Sequence, residues 1–361
     1  MKWEIAKLGK IAIIRTGKLD SNAAVIGGRY PFFTCDPNTL SIDVWAYDTE
    51  AVLLAGNNAS GNYTAKYYKG KFNAYQRTYI IESANEEELN IRYLCYALNQ
   101  QLRLLKMMSS GSTTKFLTVR MLDNLDIPLF GINIQTQIVN ILSAYDDLIE
   151  NNQKQIKLLE EAAQRIYKEW FVDLRFPGHE NTKIVDGVPE GWSRGLLKEL
   201  ISVNYGKDHK KAPDDGNIPV YGSGGLMRKC NKSLFSGEAV LIPRKGSLNN
   251  IMYVDETFWT VDTMFYATMK QPHTAVFVYF FVKAFDMYSM NIGAAVPSMT
   301  TKILDAMDVV IPDKETLEKF DKYAKVYFNK IKTLQGQNEQ LKTARDLLLP
   351  KLMYETQKGD F

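Results

Sequence analysis

Two stretches of the chain place apolar residues at helical spacing over lengths that no small domain requires. From Gly131 to Pro177 neither glycine nor proline intervenes. There Ile138, Leu142, Tyr145, Ile149, Ile156, Leu159, Ile166 and Trp170 fall on one wide stripe, opposite Lys154, Lys157, Glu160, Glu161 and Lys168. Toward the C-terminus, Leu317, Phe320, Ala324, Tyr327, Ile331, Leu334, Leu341, Leu348 and Leu352 follow alternating three- and four-residue steps, as in a heptad seam. Asn152 and Asn338 are polar members of these stripes, where a polar side chain can fix register at a cost in stability. Gly336 weakens the second helix by about 1 kcal/mol relative to alanine. A helix of about 40 residues is about 60 Å long. A small domain cannot cover such a stripe, but the other stretch offers a similar rod in the same chain.

The rest of the chain carries shorter signals. Ala51–Ala55 and Ala239–Ile242 are apolar runs bounded by glycine and asparagine and read as buried strands, as do Tyr79–Ile81 and Met264–Ala267. Ile91–Met107 and Thr274–Phe285 have helical spacing. No regular strand–helix alternation appears, so the globular segments are expected to be α+β.

These segments say nearly the same thing twice. Gly111-Ser-Thr-Thr-Lys-Phe-Leu117-Thr-Val-Arg-Met-Leu122-Asp123 through Pro128 recurs as Gly293-Ala-Ala-Val-Pro-Ser-Met299-Thr-Thr-Lys-Ile-Leu304-Asp305 through Pro312, an offset of about 180 residues. Glu50–Leu54 matches Glu238–Ile242, Tyr30–Thr34 matches Ile218–Gly222, and Phe72 matches Phe258. Trp3, Leu8 and Ile11 match Trp192, Leu197 and Leu200 in spacing. The period is too long for a solenoid. It implies a tandem duplication with pseudo-two-fold character, suited to a partner with two separated, similar sites; duplex DNA is the commonest such partner.

Composition narrows the class. The chain has 361 residues, enough for about two domains, and a formal net charge of +3, which is mildly basic. Cys35, Cys95 and Cys230 are far apart and fit neither a disulfide framework nor a zinc site. The start Met1-Lys-Trp-Glu lacks a signal-peptide core, and the apolar run Ala275–Val282 is too short to span a bilayer. A soluble cytoplasmic protein without membrane contact is expected.

At this point the chain resembles the specificity (S) subunit of Type I restriction-modification enzymes. The residues that carry the resemblance are Ile127-Pro128, Gln135–Ile149, Asn151–Gln155, Leu158–Glu161 and Trp170–Asp173. The linker Gly187–Trp192 and the last helix Leu341–Leu352 add to it. The resemblance covers the whole chain; Gln335-Gly336 and the short connection Gly131–Ile134 depart from the usual pattern. It implies target recognition domain 1 over 1–128, a first long helix over 129–176, a linker and target recognition domain 2 over 177–311, and a second long helix over 312–361. The helices would pair as an antiparallel coiled coil through Ile138, Tyr145, Asn152, Leu159 and Ile166 on one side. Leu317, Ala324, Ile331, Leu334, Asn338, Leu341 and Leu348 would face them. Each domain would read one half of a bipartite, gapped target in double-stranded DNA. The helices would set the gap and dock two methyltransferase (M) subunits, with motor-nuclease (R) subunits joining the complex.

The resemblance assigns no catalytic residue to this chain, and the motifs agree. Asp36-Pro37-Asn38 is the nearest approach to an adenine-methyltransferase loop, but it has one proline and no following aromatic residue. Tyr221-Gly-Ser-Gly-Gly225 fits no cofactor-binding spacing and reads as a tight loop. Glu190 with Asp208 and Lys210 only superficially resembles a nuclease pattern. His179, His209 and His273 lie far apart. No cofactor and no metal is expected.

Phosphate contact calls for Lys and Arg, and base reading for Arg, Lys, Asn, Gln or Ser on loops. In the first domain the candidates are Asn57, Asn58, Ser60 and Asn62 after the buried strand, then Lys66, Lys69 and Lys71 among aromatics, and Lys115. In the second they are Arg244, Lys245, Ser247, Asn249 and Asn250 after the equivalent strand, with Lys207, Lys210, Lys211, Arg228, Lys229 and Lys302. Because the two loops differ in sequence, an asymmetric target is expected. Two other readings remain: a single-chain DNA methyltransferase or nuclease, and a coiled-coil protein scaffold.

Overall fold

The computed structural model describes residues 4–58, 63–109, 115–290 and 298–354. The chain forms two compact units, Met1–Asn152 with Gln337–Phe361, and Gln153–Gly336. Each unit therefore contains one globular segment and part of each long helix.

In the first unit, β1 (Glu4–Lys7), the turn α1 (Leu8–Ile11) and β2 (Ala12–Thr16) lead to the hairpin β3 (Tyr30–Phe33) and β4 (Leu40–Ile42). The strands β5 (Tyr47–Ala55), β6 (Asn57–Asn58), β7 (Ala65–Ala74) and β8 (Thr78–Ser83) follow. Then come α2 (Ile91–Gln100), α3 (Leu102–Met108), β9 (Lys115–Phe116), α4 (Val119–Asp123), β10 (Asp126–Leu129) and the long α5 (Ile132–Tyr167). Among the described residues, the main sheet has six strands in the order β2-β8-β5-β7-β3-β4. The run Ala51–Ala55 is continuously apolar because both faces of β5 are covered. Val52 and Leu54 join the core under α2, and Ala51 and Leu53 join a second cluster with Phe33 and Phe72. The single helix expected over Ile91–Met107 is two helices. The backbone leaves helical geometry at Gln101 (φ −97°, ψ 2°), whose side-chain amide donates to the Asp126 carbonyl at 2.5 Å.

The second unit repeats this plan. After the ribbon β11 (Ile184–Val185) and β12 (Val188–Pro189) come β13 (Ser193–Leu196) and β14 (Ile201–Tyr205). The hairpin β15 (Ile218–Gly222) and β16 (Gly225–Cys230) precedes β17 (Phe235–Pro243), β18 (Met252–Thr260) and β19 (Met264–Met269). The chain continues through α6 (Ala275–Lys283), α7 (Thr301–Asp305), β20 (Asp308–Ile311) and α8 (Lys314–Tyr354). The sheet order β14-β19-β17-β18-β15-β16 is that of the first unit, strand for strand. Both sheets place one parallel pair at the same step, β3 with β7 and β15 with β18. An antiparallel ribbon closes each globular segment, Lys7 facing Asp126 in one and Leu196 facing Asp308 in the other. Two half-buried strand carboxylates also correspond: Tyr67 donates to Glu50 at 2.9 Å, and Tyr253 to Glu238 at 2.6 Å.

Inside the first unit, α5 and α8 run antiparallel. Asn152 donates its side-chain amide to Asn338 Oδ1 at 2.9 Å, and Arg345 pairs with Asp146 at 2.6 Å, so numbers rise along one helix as they fall along the other. Inside the second unit, Ala163, Tyr167 and Trp170 pack with Leu317, Phe320 and Ala324. Ile138 is buried in a cluster that joins globular residues of the first unit to Leu349, Leu352 and Met353 of α8. Ile331 and Leu334 are buried, whereas Tyr145, Leu159, Ile166 and Leu341 are half-buried. Leu348 is also half-buried, and its neighbour Leu349 enters the core with Leu352 and Met353. The end of α8 is covered both by globular residues and by Ile138, Val139 and Leu142 of α5.

Candidate nucleic-acid interface

The loops that the sequence singled out meet in each unit. In the first, the segment after β5 pairs with the segment before α4. The Leu117 amide donates to the Gly56 carbonyl at 2.8 Å, and Asn57 and Asn58 face Phe116 and Lys115 across β6 and β9. In the second, the Met299 amide donates to the Arg244 carbonyl at 2.9 Å, and Lys245 faces Ser298. Gly56 thus corresponds to Arg244, Asn57 to Lys245 and Leu117 to Met299. The repeated hydroxyls next in line have a structural role. Thr118 caps α4 through the Met121 amide and Thr300 caps α7 through the Ile303 amide, each at the ordinary N-cap position.

Several candidates in the second unit are exposed. Lys207, Lys210, Lys211, Lys229, Lys245, Ser247 and Lys302 are all solvent-exposed. Arg244 lies against the Tyr205 and Phe265 rings, 5.4 and 6.0 Å from their centroids, with one N–H directed at the Asp262 carbonyl at 3.4 Å. Such contacts order a guanidinium while leaving donors for a ligand. The Gly-rich turn joins the loop after β17, since Asn250 donates to the Ser223 carbonyl at 2.8 Å.

Other candidates are engaged within the protein. Arg228 pairs with Asp214 and donates to the carbonyls of His209 and Ala212, so it holds the lysine-bearing loop in place rather than reaching outward. Asn249 donates to Asp286 at 3.0 Å and accepts from the Met287 amide at 2.8 Å, and Asn250 is committed to Ser223. Lys66, Lys69 and Lys71 lie on strand β7, not on a loop. Lys66 donates to the Asp36 carbonyl and the Thr39 hydroxyl, both at 3.2 Å, and burial lowers its pKa. Lys69 pairs with Glu50 at 2.8 Å, and Lys71 sits over the Trp45 ring at 4.7 Å. Ser60 and Asn62 lie outside the described residues, and Asn58 is placed by its backbone alone. Lys115 is half-buried on β9.

Two exposed cations escaped the sequence reading. Lys18 occupies the position of Lys207, and Arg120 that of Lys302. The Gly17-Lys18 and Gly206-Lys207 dipeptides carry the signal, visible once the repeats are set in register.

A cavity of about 600 Å³ lies in the first unit, lined by Tyr67, Arg92, Cys95, Tyr96, Asp146 and Arg345 among others. Tyr96 donates to Asp146, which also receives Arg345, and Arg92 pairs with Asp147 at 2.9 Å. Burial, with the Asp146 carboxylate adding to it, pushes the Cys95 thiol up to about 12, so it stays protonated and a poor nucleophile at neutral pH. This cluster binds α2 to the paired helices. Among the described residues no three His, Cys, Asp or Glu side chains are grouped to hold a metal, and no helix is long and apolar enough to cross a membrane.

Comparison with known proteins converges on one family. The family model described as Type I restriction modification DNA specificity domain matches residues 1–161 and 189–343, one copy on each repeat. The chain is 31% identical over 214 residues to the Type I restriction enzyme EcoDI specificity subunit of Escherichia coli, covering 53% of this chain and 47% of that protein. It is 25% identical over 303 residues to the Type I restriction enzyme MjaIX specificity subunit of Methanocaldococcus jannaschii, covering 73% of this chain and 67% of that protein. The chain thus spans about half the length of the first of these relatives. In fold it is similar to the crystal structure of a Type I restriction-modification S subunit from M. genitalium, with a TM-score of 0.60, 20% identity, and 97% and 96% of the two chains covered. With a match on both repeats and the same fold, this chain belongs to the family of Type I restriction-modification specificity subunits.

Proposed function

We propose that this chain fixes the DNA sequence on which a Type I restriction-modification complex acts, without itself carrying catalytic residues. Each unit reads one half of a bipartite, gapped target. The observation that carries this reading is one fold present twice with a polar or basic loop at the same place in each copy. Gly56-Asn57 in the first unit stands where Arg244-Lys245 stands in the second. A shared frame suits a shared duplex geometry, and unlike loops suit unlike bases. The long helices set the gap between half-sites and dock two M subunits, through which R subunits join. Methyl transfer and cleavage belong to those partners, and the complex works in the cytoplasm.

The test compares adenine methylation, by single-molecule sequencing, in a host carrying the chain with its methyltransferase against one lacking the chain. A gapped two-part motif that appears only with the chain is expected. The same methylation in both hosts would overturn the reading.

A further inference from the structure

Because the chain contains its own second copy, the two units can be compared position by position. What both half-sites share should sit at matching positions, and what differs should not. Every half-site in duplex DNA presents the same phosphate backbone, so contacts to it should recur in both units. Base contacts should not, if the two half-sites differ.

Two exposed cations recur in register. Gly17-Lys18 directly follows β2 and Gly206-Lys207 directly follows β14. The glycines are required by packing: a β-carbon on Gly17 would come within 2.1 Å of the Ala74 carbonyl oxygen, and one on Gly206 within 1.9 Å of that of Val261. This pins the backbone of each following lysine, whose amide donates to Ala74 O at 3.3 Å in one unit and Thr260 O at 2.9 Å in the other. Both side chains are exposed. The second pair is Arg120 and Lys302, each two residues past the threonine that caps α4 or α7, and each exposed. By contrast, Arg244-Lys245 has only Gly56-Asn57 opposite it.

Resting on the DNA-reading function above, we infer that Lys18, Lys207, Arg120 and Lys302 are the phosphate contacts common to both half-sites. Arg244 and Lys245 then read bases in the second half-site only. Fixed backbones serve the first task, since a phosphate contact sets register on the duplex. The ordered guanidinium of Arg244, backed by Tyr205, serves the second, which needs a directed donor.

The experiment uses the chain assembled with its methyltransferase subunits and a duplex carrying the motif found by sequencing, beside one of random sequence. In the Lys18→Gln/Lys207→Gln double variant, affinity for both duplexes should fall. The slope of log K against log salt should shrink by about 1.8, at about 0.9 for each phosphate no longer neutralised, with the methylated motif unchanged. Lys→Arg at both positions should restore the slope. Lys245→Asn and Arg244→Gly/Lys245→Asn should relax or alter the second unit's half-site and leave the first intact. The single variant keeps the Arg244 stack, so loss of folding cannot mimic the result. An unchanged salt slope or a changed motif in the lysine double variant would overturn the assignment, as would both half-sites unchanged or both altered in the loop variants. A wild-type complex with no preference for the motif duplex would instead sink the DNA-reading function itself.

Discussion

At the residue scale, the clearest lesson concerns charged side chains whose role a sequence cannot assign. Arg228 sits in a basic run, yet its guanidinium closes on the His209, Ala212 and Lys229 carbonyls and on Asp214. Lys69 is held by Glu50, its partner across the β5–β7 ladder, from a strand 19 residues away in sequence. Nothing local marks these residues as different from Lys207 or Lys245. Asp313 illustrates the converse, a residue that belongs to none of the sequence motifs. It caps α8 by accepting from the Thr316 amide at 2.9 Å and hydroxyl at 2.7 Å, and it also accepts from the Trp192 indole N–H at 2.9 Å. Burial alone would raise its pKa, but the bonds from Thr316, Trp192 and Glu315 outweigh burial and hold it below the ordinary carboxylate value. Its stabilising effect is therefore present above that ordinary value and lost as pH falls through the lower, folded one. Asp313→Ala should lower stability by about 1 kcal/mol at neutral pH. Urea titrations of the two proteins should converge in strong acid; a gap that persists there would refute the capping account.

At the element scale, the stripes made the two long helices legible, because a 3.6-residue period sustained over many turns is the signature of a helix with one buried face. What covers each stripe was not legible. Ile138 and Leu349 share one core with globular residues, while Asn152 meets Asn338. That buried amide pair gives a specific expectation. Asn152→Leu alone strands the Asn338 side chain and should cost about 1–3 kcal/mol. Asn152→Leu/Asn338→Leu removes both polar groups and should recover most of that loss. A double-mutant cycle in urea with additive costs would show that the pair is uncoupled. The break between α2 and α3 was hidden for a related reason: the apolar spacing continues across Gln101, and only its bond to the Asp126 carbonyl marks the stop.

At the scale of the whole molecule, the duplication organises everything else. Two sheets with one strand order, two closing ribbons and two capped short helices follow one plan used twice. The proposed ruler is tested by length. Adding one heptad to each helix, at positions that face each other, lengthens the pair by about 10 Å at 1.5 Å per residue. At about 3.4 Å per base pair the gap in the methylated motif should grow by about three base pairs with both half-sites kept. An unchanged gap would exclude the helices as the ruler.

The sequence by itself determined the duplication, the two long helices, the buried strands and the family, because each is written in periodicity or in ordered repeats that survive without coordinates. Only the tertiary structure decided which cations are available to a ligand, which are tied up within the protein, and where the paired helices merge with a globular core. The physical reason is that burial, ion pairing and register depend on partners distant in the chain. A single strand of text carries the periodic signal of an element but not the identity of what packs against it.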